Sequence, residues 1–202
     1  MPKDSAIREV AALKGRKVAF QKGSSAHNLL LRALQRAGLG MADIQPVYLS
    51  PADARAAFEQ GAVDAWAIWD PFYSAMELEG RARLLVNGEG LNLTGAFVLG
   101  AREYVEGNPG FILQLLDELS RGEALTRSHR EESIAILARF SGLAPEVVAR
   151  TFEHRPVSPV GTVTDEIAAA QQRTADLFLE HRLLPRRVDI GSVVWRPQAG
   201  TQ

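Results

Sequence analysis

The stretch that decides the fold is KVAFQKGSSAHNLL, residues 17–30. Its first four residues, Lys17 to Phe20, predict a short β-strand, and the glycine and serines that follow predict a turn. A helix is predicted from Ala26 to Ala37, because apolar residues recur there at helical spacing. These are Leu29, Leu30, Ala33, Leu34 and Ala37.

The same order of strand and helix recurs through the first half of the chain. We predict further strands at residues 45–49, 63–69 and 83–86. Ser50 as N-cap, Pro51 at the first helical position and an acidic residue at the third predict a helix after the first of these strands. This βαβαβ rhythm implies a parallel sheet with right-handed crossovers.

The second half of the chain is mostly helical. After a strand at residues 96–101 we predict helices near residues 109–119, 131–140, 145–152 and 164–184, and a last short strand near residues 192–195. The second half of the chain thus has too few strands to form a sheet that its helices could cover. We therefore predict two lobes: residues 12–93 as a complete α/β lobe, and residues 1–11 with 94–202 as an incomplete, mostly helical one.

Composition excludes several classes of function. A net charge of −1 gives no electrostatic case for nucleic acid. No stretch approaches the roughly 20 apolar residues of a membrane helix, so no membrane insertion is expected. The absence of cysteine excludes disulfides, thiolate metal sites and iron–sulfur chemistry. The four histidines, His27, His129, His154 and His181, are too scattered for a metal site. We expect neither a metal nor a cofactor.

Residues 21–28, QKGSSAHN, are the sharpest functional feature. They follow a strand and open a helix, which is where α/β proteins bind ligands. Free backbone N–H groups and the positive end of the helix dipole suit a tetrahedral anion there. Gly23 allows close backbone approach, and the hydroxyls of Ser24 and Ser25 add donors. A sulfonate fits because it is always ionised and needs donors only.

The residues alone leave a plainer reading open. Ser25 could be only an N-cap, which stabilises a helix by about 1 kcal/mol and binds nothing. Ser25 and His27 are two positions apart, which points their side chains in different directions. This spacing argues against a nucleophile–base pair.

An aromatic segment follows the third predicted strand. Strand alternation puts Trp66 and Trp69 on opposite faces, so one of them should be core. We predict that Trp69, nearer the carboxyl end of the strand, faces a ligand pocket. Asp70 is either a helix cap before Pro71 or a ligand contact, and the two readings are equally good.

Two long runs carry a resemblance: KGRKVAFQKGSSAHNLLLRALQRAGL, residues 14–39, and IQPVYLSPADARAAFEQGAVDAWAIWDPF, residues 44–72. They closely resemble the aliphatic sulfonate-binding proteins of ABC transporters, relatives of the taurine- and nitrate-binding proteins. The resemblance implies a two-lobed α/β fold of the periplasmic-binding-protein type (type II), with the second lobe complete and the first lacking its N-terminal part. The first ten residues, MPKDSAIREV, contain no secretory signal.

The resemblance also implies a function. The protein would be a non-enzymatic, periplasmic solute-binding protein that captures sulfonates for sulfur acquisition and delivers them to a membrane permease. The predicted ligand-binding residues are Gln21, Gly23, Ser24, Ser25, Ala26, His27, Trp69 and Asp70.

Three alternatives stay open at this point. The ligand could be another small anion or an amine-sulfonate, as in the nitrate- and taurine-binding relatives. The fold could belong to a cytoplasmic ligand-sensing domain. It could also belong to an enzyme such as the pyrimidine synthases of thiamine biosynthesis, but these carry a cysteine-rich iron motif and this chain has no cysteine.

Overall fold

A computed structural model describes residues 1–91, 95–155 and 159–197 of the chain. The chain divides into two compact units. The first unit comprises Met1–Leu93 with Glu146–Thr151, and the second comprises Thr94–Pro145 with Phe152–Gln202.

The first unit is built on a parallel sheet. Its three strands are β1 (Lys17–Phe20), β2 (Gln45–Tyr48) and β3 (Ala65–Trp66), in the order β2-β1-β3. Phe20 pairs with Tyr48 in the register, so the carboxyl ends of β1 and β2 lie side by side. This confirms the predicted parallel α/β arrangement.

Helices pack on both faces of this sheet. They are α1 (Ser25–Arg36), α2 (Pro51–Glu59) and α3 (Phe72–Leu78), with single turns of 3-10 helix at Val10–Leu13 and Met41–Asp43. Because side chains alternate along a strand, β1 contributes to two cores. One core surrounds Val18 and Phe20 with residues of α1, and the other surrounds Ala19 with residues of α2 and α3. The members of the second are Ala19, Ala54, Phe58, Val63 and Met76.

The start of the chain is held to the first unit. The backbone of Met1 and Lys3 bonds to residues 81–83 in antiparallel fashion, and Pro2 pairs with Ala82. The Arg83 guanidinium donates to the carbonyls of Ser5 and Ile7. Residues 1–11 therefore pack with residues 12–93, whereas the sequence-based division placed them with residues 94–202. The buried side chains of Met1 and Ile7 account for the difference.

Two predicted strands of the first unit are shorter than expected or missing. The strand predicted at 63–69 is only Ala65–Trp66, because β1 ends at Phe20. The Ala19 carbonyl accepts the last hydrogen bond between these strands, from the Ala67 N–H. The strand predicted at 83–86 does not form. Beyond the bridge at Ala82, nothing in the described residues pairs with it as a strand.

The second unit is helical, as predicted. Its helices are α4 (Arg102–Gly107), α5 (Pro109–Ser128), α6 (Arg130–Ser141) and α8 (Asp165–Glu180), and α7 (Pro145–His154) contributes to both units. The strands predicted at 96–101 and 192–195 are wrong. Residues 95–101 form neither helix nor strand, and Gly191–Val193 is a 3-10 turn. An extended segment becomes a strand only when a neighbour bonds to it.

The two units differ in how much apolar surface they bury. The largest fully buried side chains lie in the first unit and include Phe20, Leu34 and Met76. In the described part of the second unit the buried residues are small, namely Ala138, Ala168, Thr174 and Ala175, while Leu99 is 90% and Phe140 88% exposed. Large side chains dominate the free energy of burial, so the first unit contains the well-packed core.

The clamp on the N-terminal segment gives a testable prediction. Arg83→Met removes a charged donor from two carbonyls, and hydrogen bonds to charged groups contribute about 2 kcal/mol. We expect the free energy of unfolding of the first unit to fall by that amount. Urea denaturation followed by tryptophan fluorescence measures it. The control is Arg81→Met, since Arg81 is exposed and only meets Glu79 at 3.5 Å. Equal unfolding midpoints for the two variants would contradict the assigned clamp.

Candidate anion-binding site

The site is the loop that joins β1 to α1, at the carboxyl edge of the sheet. Parallel strands bring this loop beside the end of β2 at Tyr48. Gly23 has a φ of +75°, in the left-handed region that glycine adopts without strain. This conformation lets the chain turn sharply from the strand into the helix.

Ser24 caps α1. Its backbone is extended, and its Oγ accepts a hydrogen bond from the His27 N–H at 3.3 Å. The same hydroxyl donates to the Gln21 carbonyl at 2.7 Å. The possible cap predicted from the sequence was Ser25, and the structure shows that the cap is Ser24. Ser25 is instead the first helical residue, and it is exposed.

Several donors of the loop are already used within the protein. The Gly23 N–H donates to Nδ1 of His27 at 3.1 Å, and the Ser24 N–H points to the Gln21 carbonyl at 3.4 Å. Among the described residues, no acceptor meets the N–H groups of Ser25 and Ala26 or the hydroxyl of Ser25. Three neighbouring neutral donors therefore remain for a ligand. Gln21 contributes its carbonyl to the shape of the loop.

The electrostatic setting favours an anion. A helix start carries about half a positive charge, which an acidic residue in the first turn offsets. In the described chain three helices have a hydroxyl side chain as N-cap: α1, α2 and α8. The first turn of α2 contains Asp53 and that of α8 contains Asp165 and Glu166, whereas the first turn of α1 contains no acidic residue.

Lys22 adds a full positive charge beside this helix start. Its Nζ lies 5.5 Å from the centre of the Tyr48 ring, within the range of a cation–π contact. Sequence reasoning missed Lys22 as a site residue. Its position directly before the Gly-Ser-Ser turn was the available signal, but only the strand register reveals Tyr48 as its neighbour.

His27 connects the loop to the core. It is only 2% exposed, and its ring centre lies 4.7 Å from that of Phe20 and 6.4 Å from that of Tyr48. Because Nδ1 accepts from the Gly23 N–H, the ring nitrogen nearest the loop has its lone pair occupied. The predicted ligand residue is thus buried and bonded to the loop.

The aromatic segment separates into two roles. Trp66 packs between Phe58 and Phe72, at 5.9 Å and 6.2 Å between ring centres, next to the second core. Trp66 therefore packs at the second core. Because β3 ends at Trp66, strand alternation does not place Trp69. Trp69 is partly exposed and meets Phe72 edge-on at 6.4 Å. Its role in binding stays a prediction.

The role of Asp70, which the sequence left undecided, is indicated by its hydrogen bonds to Ser74. Its Oδ1 accepts from both the N–H of Ser74, at 3.0 Å, and the hydroxyl of Ser74, at 2.5 Å. These bonds hold the start of α3, which favours the cap reading over the ligand reading. On the same helix, burial raises the pKa of the Tyr73 phenol, and its hydrogen bond to Glu77 raises it further, so Tyr73 stays neutral.

No group of acidic, histidine or cysteine side chains in the described ranges could hold a metal ion. None of the helices described is both long and apolar enough to cross a membrane.

Comparison with known proteins identifies the family. The family model described as NMT1/THI5 like matches residues 1–133. The chain belongs to this family. It is also similar to a putative aliphatic sulfonates-binding protein of Escherichia coli strain K12, with 59% identity over 96% of this chain. A protein of the same description from Bacillus subtilis strain 168 is 32% identical over 95% of this chain.

The chain spans 61% of the length of the E. coli relative and 58% of that of the B. subtilis relative. Solved structures agree with the fold. The periplasmic aliphatic sulphonate binding protein SsuA from Escherichia coli matches all of this chain and 66% of its own, with 57% identity and a TM-score of 0.95. The predicted α/β fold of the periplasmic-binding-protein type is thereby confirmed.

A second solved structure is the alkanesulfonate-binding protein SsuA from Xanthomonas axonopodis pv. citri bound to MOPS. It is 56% identical over 96% of this chain and 68% of its own, with a TM-score of 0.89. The desulfurization enzyme DSZB matches at 20% identity with a TM-score of 0.64, which shows a shared fold alone.

The reassigned cap gives a prediction about stability. Ser24→Ala removes the acceptor of the His27 N–H and should lower the free energy of unfolding by about 1 kcal/mol. Ser25→Ala is the matched control and should change it by only a few tenths of that. Urea denaturation of both variants measures the difference. A larger loss in the Ser25 variant would return the cap to that residue.

Proposed function

We propose that this protein is the substrate-binding component of an ABC uptake system and captures aliphatic sulfonates for delivery to a membrane permease. The observation that carries the proposal is the start of α1. It offers the N–H groups of Ser25 and Ala26 and the hydroxyl of Ser25 to one ligand, without a carboxylate in the first turn.

The chemistry of these donors favours a sulfonate over other oxyanions. A sulfonate has three oxygens that accept and no proton to give at physiological pH. Phosphate carries a proton near pH 7, and its binding is best served by a site that also contains an acceptor. In this loop the acceptors are engaged: Ser24 Oγ binds the His27 N–H, and the Gln21 carbonyl binds Ser24.

The organic part of the ligand would meet the aromatic edge. Tyr48 is half exposed at the end of β2, and Trp69 follows β3 at the same carboxyl edge of the sheet. Apolar walls beside a few placed donors are the usual make-up of a small-ligand site. We therefore assign Tyr48 and Trp69 to the alkyl tail.

The relatives support this ligand class. Two of them are described as putative aliphatic sulfonates-binding proteins, and a structure at 56% identity is described as bound to MOPS, which is itself a sulfonate. We also propose a periplasmic location and a permease partner, from the resemblance to the sulfonate-binding proteins of ABC transporters. The E. coli structure is described as periplasmic.

We propose binding without catalysis. Ser25 is the exposed hydroxyl of the loop, and a nucleophile needs a base within hydrogen-bond reach. The nearby histidine is buried against Phe20, and its Nδ1 is occupied by the Gly23 N–H. Nothing in this geometry activates the Ser25 hydroxyl.

A nuclear magnetic resonance titration tests the proposal on the 202-residue chain. Ethanesulfonate should shift the amide resonances of Ser25 and Ala26 to saturation. The amide of Ala52, at the start of α2, should not move, because Asp53 offsets that helix start. Ser25→Asp places a negative charge among the donors and should abolish the shifts.

The matched control is Ala52→Asp, which adds the same charge at the neighbouring helix start and should leave the titration nearly unchanged. Retained binding by Ser25→Asp would mean that α1 begins with a cap and no ligand site. Saturating shifts with phosphate or nitrate but not with ethanesulfonate would reject the sulfonate assignment.

A further inference from the structure

We infer that His27 is a positioning residue, which sets the donors of the anion site by holding the Gly23 amide away from the ligand. This inference rests on the proposed function and deepens it. It replaces the direct ligand contact that the sequence suggests for His27.

Two hydrogen bonds attach His27 to the loop. Its backbone N–H donates to Ser24 Oγ at 3.3 Å, and its Nδ1 accepts from the Gly23 N–H at 3.1 Å. One residue in the first turn of α1 thus fixes the two loop residues that precede the free donors. Its ring is itself fixed, since it is 2% exposed and lies 4.7 Å from the ring of Phe20.

Gly23 is held by hydrogen bonds and not by packing. A Cβ placed on Gly23 would meet nothing within 4 Å, so no packing contact holds the residue on that side. The residue is also exposed and has the left-handed φ of +75°. Two bonds from Ser24 to the Gln21 carbonyl close the turn. The Gly23 N–H itself is oriented by its hydrogen bond to His27.

The bond from Gly23 also determines the tautomer of the His27 ring. Nδ1 can accept only when it carries no proton, so the neutral ring must have its proton on Nε2. In this state the Gly23 N–H is used up and the ligand meets Ser25 and Ala26. A fourth donor at Gly23 would suit anions of other sizes, so His27 restricts the site to the donor set at the helix start.

Two substitutions separate this role from packing. His27→Phe keeps a ring against Phe20 but removes the acceptor. We expect it to weaken ethanesulfonate binding roughly tenfold, because the freed Gly23 backbone must be ordered again when the ligand binds. His27→Asn loses the ring, but its Oδ1 can accept in place of Nδ1. We expect it to keep the affinity within about threefold of the unchanged chain.

Amide hydrogen exchange at Gly23 gives a readout that needs no ligand. The Gly23 amide should be protected in the unchanged chain and in His27→Asn, and should exchange freely in His27→Phe. If the unchanged chain fails to bind ethanesulfonate, the proposed function fails, and this exchange pattern still decides whether His27 holds Gly23.

Three outcomes would overturn the inference. They are equal affinity of the two variants, equal exchange of Gly23 in both, and a ligand-induced shift of the His27 ring nitrogens that signals direct contact. If both variants unfold, the ¹⁵N shifts of the ring in the unchanged chain decide. A protonated Nδ1 would reject the bond, and an unprotonated Nδ1 would support it.

Discussion

The whole arrangement depends on the unsatisfied N–H groups at the start of an α-helix. Every helix begins with donors that have no partner inside it, and a protein must provide acceptors for them or leave them to water or a ligand. At α1 one of these donors is met by Ser24 Oγ, and those of Ser25 and Ala26 are left without an acceptor in the described chain. With no acidic residue in the first turn, this end keeps its positive potential.

The sheet determines where these donors lie. Phe20, the last residue of β1, is fully buried and supports the ring of His27, which in turn binds the Gly23 amide. The parallel register places Tyr48 beside Phe20, at 5.2 Å between ring centres. The core of the first unit thus reaches the loop through one continuous set of contacts, and this gives a short exposed loop a fixed shape.

Local features were predictable from the sequence because their causes are local. The strand at residues 17–20, the helix after it and the Ser50–Pro51 helix start all follow from neighbouring residues. The cap was predicted one residue too late, since two adjacent serines satisfy the same pattern and only the backbone geometry distinguishes them. The same local reading found the loop but not the partners of its donors.

Features that depend on distant residues were not predictable. The strands expected at 83–86, 96–101 and 192–195 have the right composition, but a strand also needs a neighbour along its edge. The place of residues 1–11 depends on Arg83, more than 70 positions away. Likewise, Lys22 gains its meaning only when the register brings it to Tyr48.

A crystal structure of the protein with 1-propanesulfonate would test most directly whether the start of α1 binds the sulfonate group. We expect sulfonate oxygens within about 3 Å of the backbone nitrogens of Ser25 and Ala26, with the Gly23 N–H still bonded to His27. A sulfonate bound elsewhere, while the start of α1 holds only water, would contradict it.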